Sequence, residues 1–175
     1  MGAQAIGCAH VDKRIDVLAA AIVGKLTVEQ LRGLDLGYAG AFNASRDVIN
    51  HAAYLADATR TGLGAVLSVE TLANQLPSGL WQVLDVRDSA ETALEFPGAT
   101  HHRIRFAELR AQLALGNLSL AKDAAIVVVS QNGRRAWQAL RILRQHGFAQ
   151  VYCLSGGAMA WSLASSETAA MGHRT

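Results

Sequence analysis

An α/β fold, with a mostly parallel sheet covered by helices and a short helical extension at the N-terminal end, is the architecture predicted by this 175-residue sequence. Three observations predict it. From residue 81 onward, short apolar runs alternate with segments whose apolar residues recur at helical spacing, the signature of strand–helix repeats. The run Ala124-Ala125-Ile126-Val127-Val128-Val129 is apolar throughout, as a strand buried on both faces must be. The loop that follows it, Ser130-Gln131-Asn132-Gly133-Arg134-Arg135-Ala136, is polar and opens into a segment carrying Trp137, Leu140, Ile142 and Leu143 at helical spacing.

Taken in order, residues 16–24 read as an alanine-rich helix ending at Gly24. Thr27-Val28-Glu29-Gln30 has the form of a capping box opening a second short helix. Residues 47–57 read as a third helix with Ile49, Ala53 and Tyr54 on one side. Thr61-Gly62-Leu63-Gly64 reads as a linker, and Ser68 as the cap of a helix over 69–76. The alternation then predicts a strand over 81–85, a short helix after Ser89, a strand near Thr100 and a helix over 106–115. It continues with a strand over 126–129, a long helix to His146, a strand over 151–154 and a last helix through Trp161. The expected organisation is an N-terminal segment 1–60, a linker 61–67, an α/β domain 68–165 and a tail 166–175.

The composition is that of a globular protein, with 51% hydrophobic and 17% charged residues. A net charge of +2 is too mild to imply nucleic acid. No stretch approaches the length of a membrane span, and no basic start leads into an apolar signal segment, so the expected compartment is the cytoplasm. Of the two cysteines, Cys153 falls in a predicted buried strand, and Cys8 stands apart from any Cys-x-x-Cys or zinc spacing. No Gly-x-Gly-x-x-Gly follows a strand, and no cofactor is expected.

A short loop between a strand end and a helix start aims unpaired amides at one point, where the helix dipole adds positive charge. With Arg134 and Arg135 the loop reads as an anion cradle. It resembles the active-site loop of rhodanese-type sulfurtransferase domains, whose pattern is Cys-x-x-Gly-x-Arg-Ser. Gly133 and Arg135 match, Ser130 stands at the position of the persulfide-carrying cysteine, and Ala136 at that of the serine. Leu84-Asp85-Val86-Arg87 followed by Glu91, Phe96-Pro97-Gly98-Ala99 and Leu154-Ser155-Gly156-Gly157-Ala158-Met159-Ala160-Trp161 are similar to further landmarks of that family, in the same order.

The first third resembles a different family. Gly2-Ala3-Gln4-Ala5-Ile6-Gly7, residues 11–17, Leu36-Gly37-Tyr38-Ala39 and Asp47-Val48-Ile49-Asn50 are similar to the dimerisation domain of coenzyme A-disulfide reductases, flavoproteins some of which end in a rhodanese domain. The resemblance implies a truncated dimerisation segment joined to a rhodanese-like domain, with no FAD or NADH site carried over. Tyr38 and Tyr54 match tyrosines that intact reductases place near the partner subunit's active site; core or interface packing is the plainer expectation for Tyr54. The usual Tyr-Ala-Pro-Pro-Phe is here Tyr38-Ala39-Gly40-Ala41-Phe42.

Ser130 decides the expected chemistry. A hydroxyl stays protonated where a thiol would ionise, and oxygen cannot store sulfane sulfur. A serine nucleophile needs an adjacent base, for which the resemblance offers His101 and His102 as the nearest candidates. Gly133 reads as a backbone requirement, Arg134 as facing the ligand, and Arg135 as either gripping an anion or supporting the loop. Asp85 and Arg87 are expected to form a structural ion pair. The expected role is binding of a small anion or thiol-containing ligand, or partner docking, without sulfur transfer. The alternatives are an active sulfurtransferase using a cysteine from elsewhere, a piece acting with a flavoprotein reductase subunit, and a phosphatase. Apolar faces around Ile15, Leu18, Ile22, Leu31, Leu34 and Tyr54 predict a symmetric homodimer.

Overall fold

The computed structural model describes residues 2–41, 44–88 and 94–172, with backbone alone for 166–172. Phe42, Glu91, the short helix predicted after Ser89 and the end of the predicted tail lie outside the described residues. The chain divides into two compact units, Met1–Gly62 and Leu63–Thr175.

Among its described residues the first unit holds three helices, α1 (Val11–Val23), α2 (Val28–Arg32) and α3 (Val48–Arg60). Helix α1 begins five residues before its predicted start, because Val11, Ile15, Leu18 and Ile22 extend the helical spacing backward. Gly24 ends it in the right-handed region, without the left-handed conformation such a glycine often supplies. The capping box at Thr27 is formed, with Thr27 and Gln30 exchanging backbone-to-side-chain hydrogen bonds at 2.8 and 3.2 Å. Asp47 and Asn50 form a second at the start of α3. Asn50, buried, donates through Nδ2 to the carbonyl of Leu34 at 3.0 Å, which ties the α2–α3 connection to α3. Tyr54 points outward, 42% exposed, with the Arg32 guanidinium over its ring. Core packing is therefore not its role, since a phenol at the rim keeps its hydroxyl solvated.

The second unit is a five-stranded, wholly parallel sheet in the order β1-β5-β4-β2-β3. Its strands are β1 (Val66–Leu67), β2 (Trp81–Asp85), β3 (Thr100–Arg103), β4 (Ala125–Val129) and β5 (Val151–Leu154). The two-residue β1 lies within the segment read as a linker and pairs with β5. Helix α4 (Val69–Gln75) is capped by Ser68 and passes into a 3₁₀ turn, Leu76–Ser78. The predicted 106–115 helix is split into a 3₁₀ turn, Phe106–Glu108, and α5 (Leu109–Ala114). Helices α6 (Arg134–Gln145) and α7 (Gly157–Gly172) are the remaining elements among the described residues.

Alternation along the strands sends side chains to two cores. Leu84, Ile126, Val128, Val151 and Cys153 pack with Leu109 of α5 and Ala139, Leu140 and Leu143 of α6. Val83, Val127, Val129 and Leu154 pack on the other face with Leu72 of α4 and Ala158 and Trp161 of α7. Gly64 is buried, and a Cβ there would lie 2.3 Å from Cη2 of Trp137. Among the described residues, no helix is long and apolar enough to cross a membrane.

The strand order positions the site. The chain leaves β2 toward β3 on one side and leaves β4 toward β5 on the other. The loops after β2 and β4 therefore diverge, and open α/β sheets bind ligands in such a crevice at the carboxyl strand ends.

Candidate functional site

The two strand ends are laced together before they part. Asp85 stands opposite Val129, and the amide of Val86 donates to the carbonyl of Val129 at 2.9 Å. On the β2 side, Asp85 and Arg87 form a fully buried pair. Asp85 Oδ1 accepts from the Arg87 amide and Nε, both at 3.0 Å, and Oδ2 accepts from Nη2 at 2.8 Å. Burial acts to raise the Asp85 pKa, but the hydrogen bonds and charge of Arg87 outweigh it and hold the carboxyl below its usual range.

On the β4 side, the chain turns through Ser130, Gln131, Asn132 and Gly133 into α6. Gly133 has φ +88°, a conformation that only glycine adopts freely, and it is the N-cap of α6. Its carbonyl accepts the Trp137 amide at 2.9 Å, and Asn132 Oδ1 accepts the Arg134 amide at 3.3 Å. Ser130 is 1% exposed, and its Oγ accepts the amide of Ala136 at 3.1 Å. The hydroxyl oxygen thus satisfies one of the orphan donors of the first turn of α6.

Helix α7 closes the loop from the other side. The Ala158 amide donates to the Ser130 carbonyl at 2.9 Å, and the Met159 amide to the Gln131 carbonyl at 3.1 Å. A trans peptide sets the N–H of one residue antiparallel to the preceding C=O. The Gln131 and Asn132 amides therefore point away from α7, and neither donates to an acceptor among the described residues. Arg134 is exposed and forms no ion pair there. Arg135 Nη1 donates to Asp88 Oδ2 at 2.9 Å. Asp88 also offers its carbonyl to Arg103 Nη2 at 3.0 Å, so one residue of the β2 loop ties down two arginines.

No serine–histidine arrangement forms. Neither His101 nor His102 hydrogen-bonds Ser130, whose Oγ is already engaged; His101 instead meets the Phe96 ring edge-on. Burial lowers the pKa of His101. Cys153 lies beneath the loop, its Sγ donating to the Gly133 carbonyl at 3.5 Å, and burial pushes its thiol up to about 12. Cys8 is exposed in the other unit. No cluster of three or more metal-ligating side chains occurs among the described residues.

Sequence reading assigned no role in the site to two contributors. Asp88 sits 47 positions from Arg135, and local pattern carries no sign of their pairing. Gly157, φ +60°, packs so tightly on the loop that a Cβ would lie 2.1 Å from the Ser130 carbonyl oxygen. The adjacent glycines 156 and 157 before a helix were the available signal.

The family model described as rhodanese-like domain matches residues 68–164. The chain is also similar to coenzyme A disulfide reductases: 43% identical over 54 residues to that of Staphylococcus aureus (strain bovine RF122 / ET3-1), covering 31% of this chain and 12% of that protein. The Staphylococcus haemolyticus (strain JCSC1435) enzyme is 39% identical over the same length and with the same coverage. Among solved structures, the NAD-dependent persulfide reductase from A. fulgidus is 36% identical with a TM-score of 0.72, over 89% of this chain and 26% of that one. Reduced Bacillus anthracis CoADR-RHD is 28% identical with a TM-score of 0.79, over 91% and 27%. The chain thus spans about an eighth of the curated reductases and about a quarter of the two structural relatives.

Proposed function

The chain belongs to the rhodanese-like domain family through residues 68–164, and from that premise we propose that it is a binding module for a small anion or thiol-containing ligand, without sulfur transfer. The observation that carries this reading is Ser130. The residue at the family's nucleophile position has its Oγ buried and engaged by the Ala136 amide, with no base bonded to it. A hydroxyl so held neither ionises near neutral pH nor stores sulfane sulfur. Binding remains open to the loop, because the Gln131 and Asn132 amides, the start of α6 and Arg134 together favour negative charge. Cys153 is a poor substitute nucleophile, being buried with its pKa pushed up to about 12.

The test combines titration and turnover. In ¹⁵N-labelled protein, sulfate and thiosulfate should produce saturable shifts at the Gln131 and Asn132 amides. Wild type should show no thiosulfate:cyanide or persulfide transfer, and Ser130→Cys should gain some. Shifts confined to other regions, or wild-type turnover that survives replacement of Cys8 and Cys153, would overturn the reading.

A second reading is favoured by the reductase relatives. The chain would dock on a flavoprotein reductase subunit, its first unit supplying a dimerisation element, and itself form a homodimer in the cytoplasm. The identity to coenzyme A disulfide reductases over 54 residues supports it. Co-purification with a separately expressed reductase, and its loss when residues 1–62 are deleted, tests it.

A further inference from the structure

We infer that Gly157 is a positioning residue for the anion site, because its missing side chain lets the first turn of α7 clasp the Ser130–Asn132 backbone and so aim two amides outward. This inference rests on the anion-binding reading above. Helix N-termini carry unpaired amides. In α7, the Ala158 and Met159 amides go to the Ser130 and Gln131 carbonyls at 2.9 and 3.1 Å. Each carbonyl shares a rigid plane with the amide of the next residue. Pinning the two oxygens therefore pins the Gln131 and Asn132 N–H vectors on the face that α7 does not cover.

The clasp requires a close approach. A Cβ on Gly157 would lie 2.1 Å from the Ser130 oxygen, 2.7 Å from the Gly133 nitrogen and 2.9 Å from the Gln131 oxygen. All three neighbours are backbone, so no flexible side chain can swing aside. Any substitution must displace the loop or the helix, and rotating either peptide would turn a carbonyl toward a bound anion where an amide had been. Gly157 touches no ligand; it acts through the loop.

The experiment uses ¹⁵N-labelled full chain in three forms: wild type, Gly157→Ala and Gly116→Ala. Gly116 has a comparable φ of +68° and open space where a Cβ would stand, so its variant carries the backbone strain without the clash. Residual dipolar couplings of the ligand-free proteins report N–H orientation, and a sulfate titration reports affinity. In Gly157→Ala the Gln131 and Asn132 vectors should reorient and sulfate affinity should fall by about tenfold or more. Gly116→Ala should change neither. Unchanged vectors in Gly157→Ala, or an affinity equal to wild type, would overturn the inference.

Should Gly157→Ala fail to fold, Met159→Pro decides. It replaces the donor to the Gln131 carbonyl by a ring carbon that cannot approach that oxygen as closely, within the first turn, where no intrahelical hydrogen bond is lost. A reoriented Asn132 vector with weakened sulfate binding supports the clasp, and retention of both sinks it. A wild type that binds no sulfate overturns the anion reading instead, while the ligand-free vectors still decide the role of Gly157.

Discussion

Replacing Asp85 by asparagine removes a charge from the most enclosed ion pair among the described residues. Asp85 is 1% exposed and Arg87 2%, with carboxylate contacts at 2.8 to 3.1 Å to one guanidinium and at 3.0 Å to the Arg87 amide. The variant leaves that guanidinium facing a neutral amide, and breaking a buried pair on one side costs about 3–5 kcal/mol. A domain of this size has a stability of about 5–15 kcal/mol, so the loss is a large fraction of the whole. In urea it should move the unfolding midpoint down by at least about 1 M. The pH dependence follows from the depressed carboxyl of Asp85. The unfolded chain takes up the proton first as pH falls, so the pair's contribution is complete above the unfolded value of about 3.9 and is lost as pH drops through the lower folded value. The gap between wild type and Asp85→Asn should therefore be constant from pH 7 to about 5 and shrink below about 4. A loss under about 1 kcal/mol, typical of an exposed pair, or a gap that widens in acid, would refute the assignment.

Three further outcomes are expected. Gly64→Ala should destabilise by about 1–3 kcal/mol in urea unfolding, because its methyl would overlap the Trp137 ring at 2.3 Å; a neutral effect would mean the ring is free to move. A disulfide reagent at pH 8 should titrate the exposed Cys8 rapidly and Cys153 only on unfolding, since burial pushes the latter thiol up to about 12; two fast thiols would contradict this. Light scattering should give a dimer for the full chain and a monomer for a chain beginning at Leu63, with Val23, Val48 and Tyr54 among the exposed apolar residues of the first unit; two monomers would refute it.

The elements most legible in the sequence were those with local reasons to form. β2 and β5 follow their apolar runs to the residue, and the capping box at Thr27 is made within four residues. Strand β1 was missed because two residues carry no period; it exists through its pairing with Cys153 and Leu154. Helix α6 begins three residues before Trp137, where the left-handed Gly133 ends the loop, a boundary that apolar spacing does not mark. In the site, the loop and the Asp85–Arg87 pair were visible because their residues are neighbours in sequence. The Arg135 contact was not legible because its carboxylate, Asp88, arrives from the loop after β2.

That separation has a consequence for how the cradle comes into being. The Asp88–Arg135 contact closes 47 positions of chain, and the clasp joins the loop to a helix that follows the next strand. A peptide bearing only β4, the loop and α6 holds neither partner, and closing such loops costs entropy that the assembled sheet must offset. The orientation of the Gln131 and Asn132 amides is therefore a product of the whole folded unit. A ligand that binds them draws the folding equilibrium with it, by RT ln(1 + [L]/Kd), so the protein's melting temperature should rise with anion concentration. On the proposed reading, the contacts that set the loop for an anion are the same ones that hold the domain together.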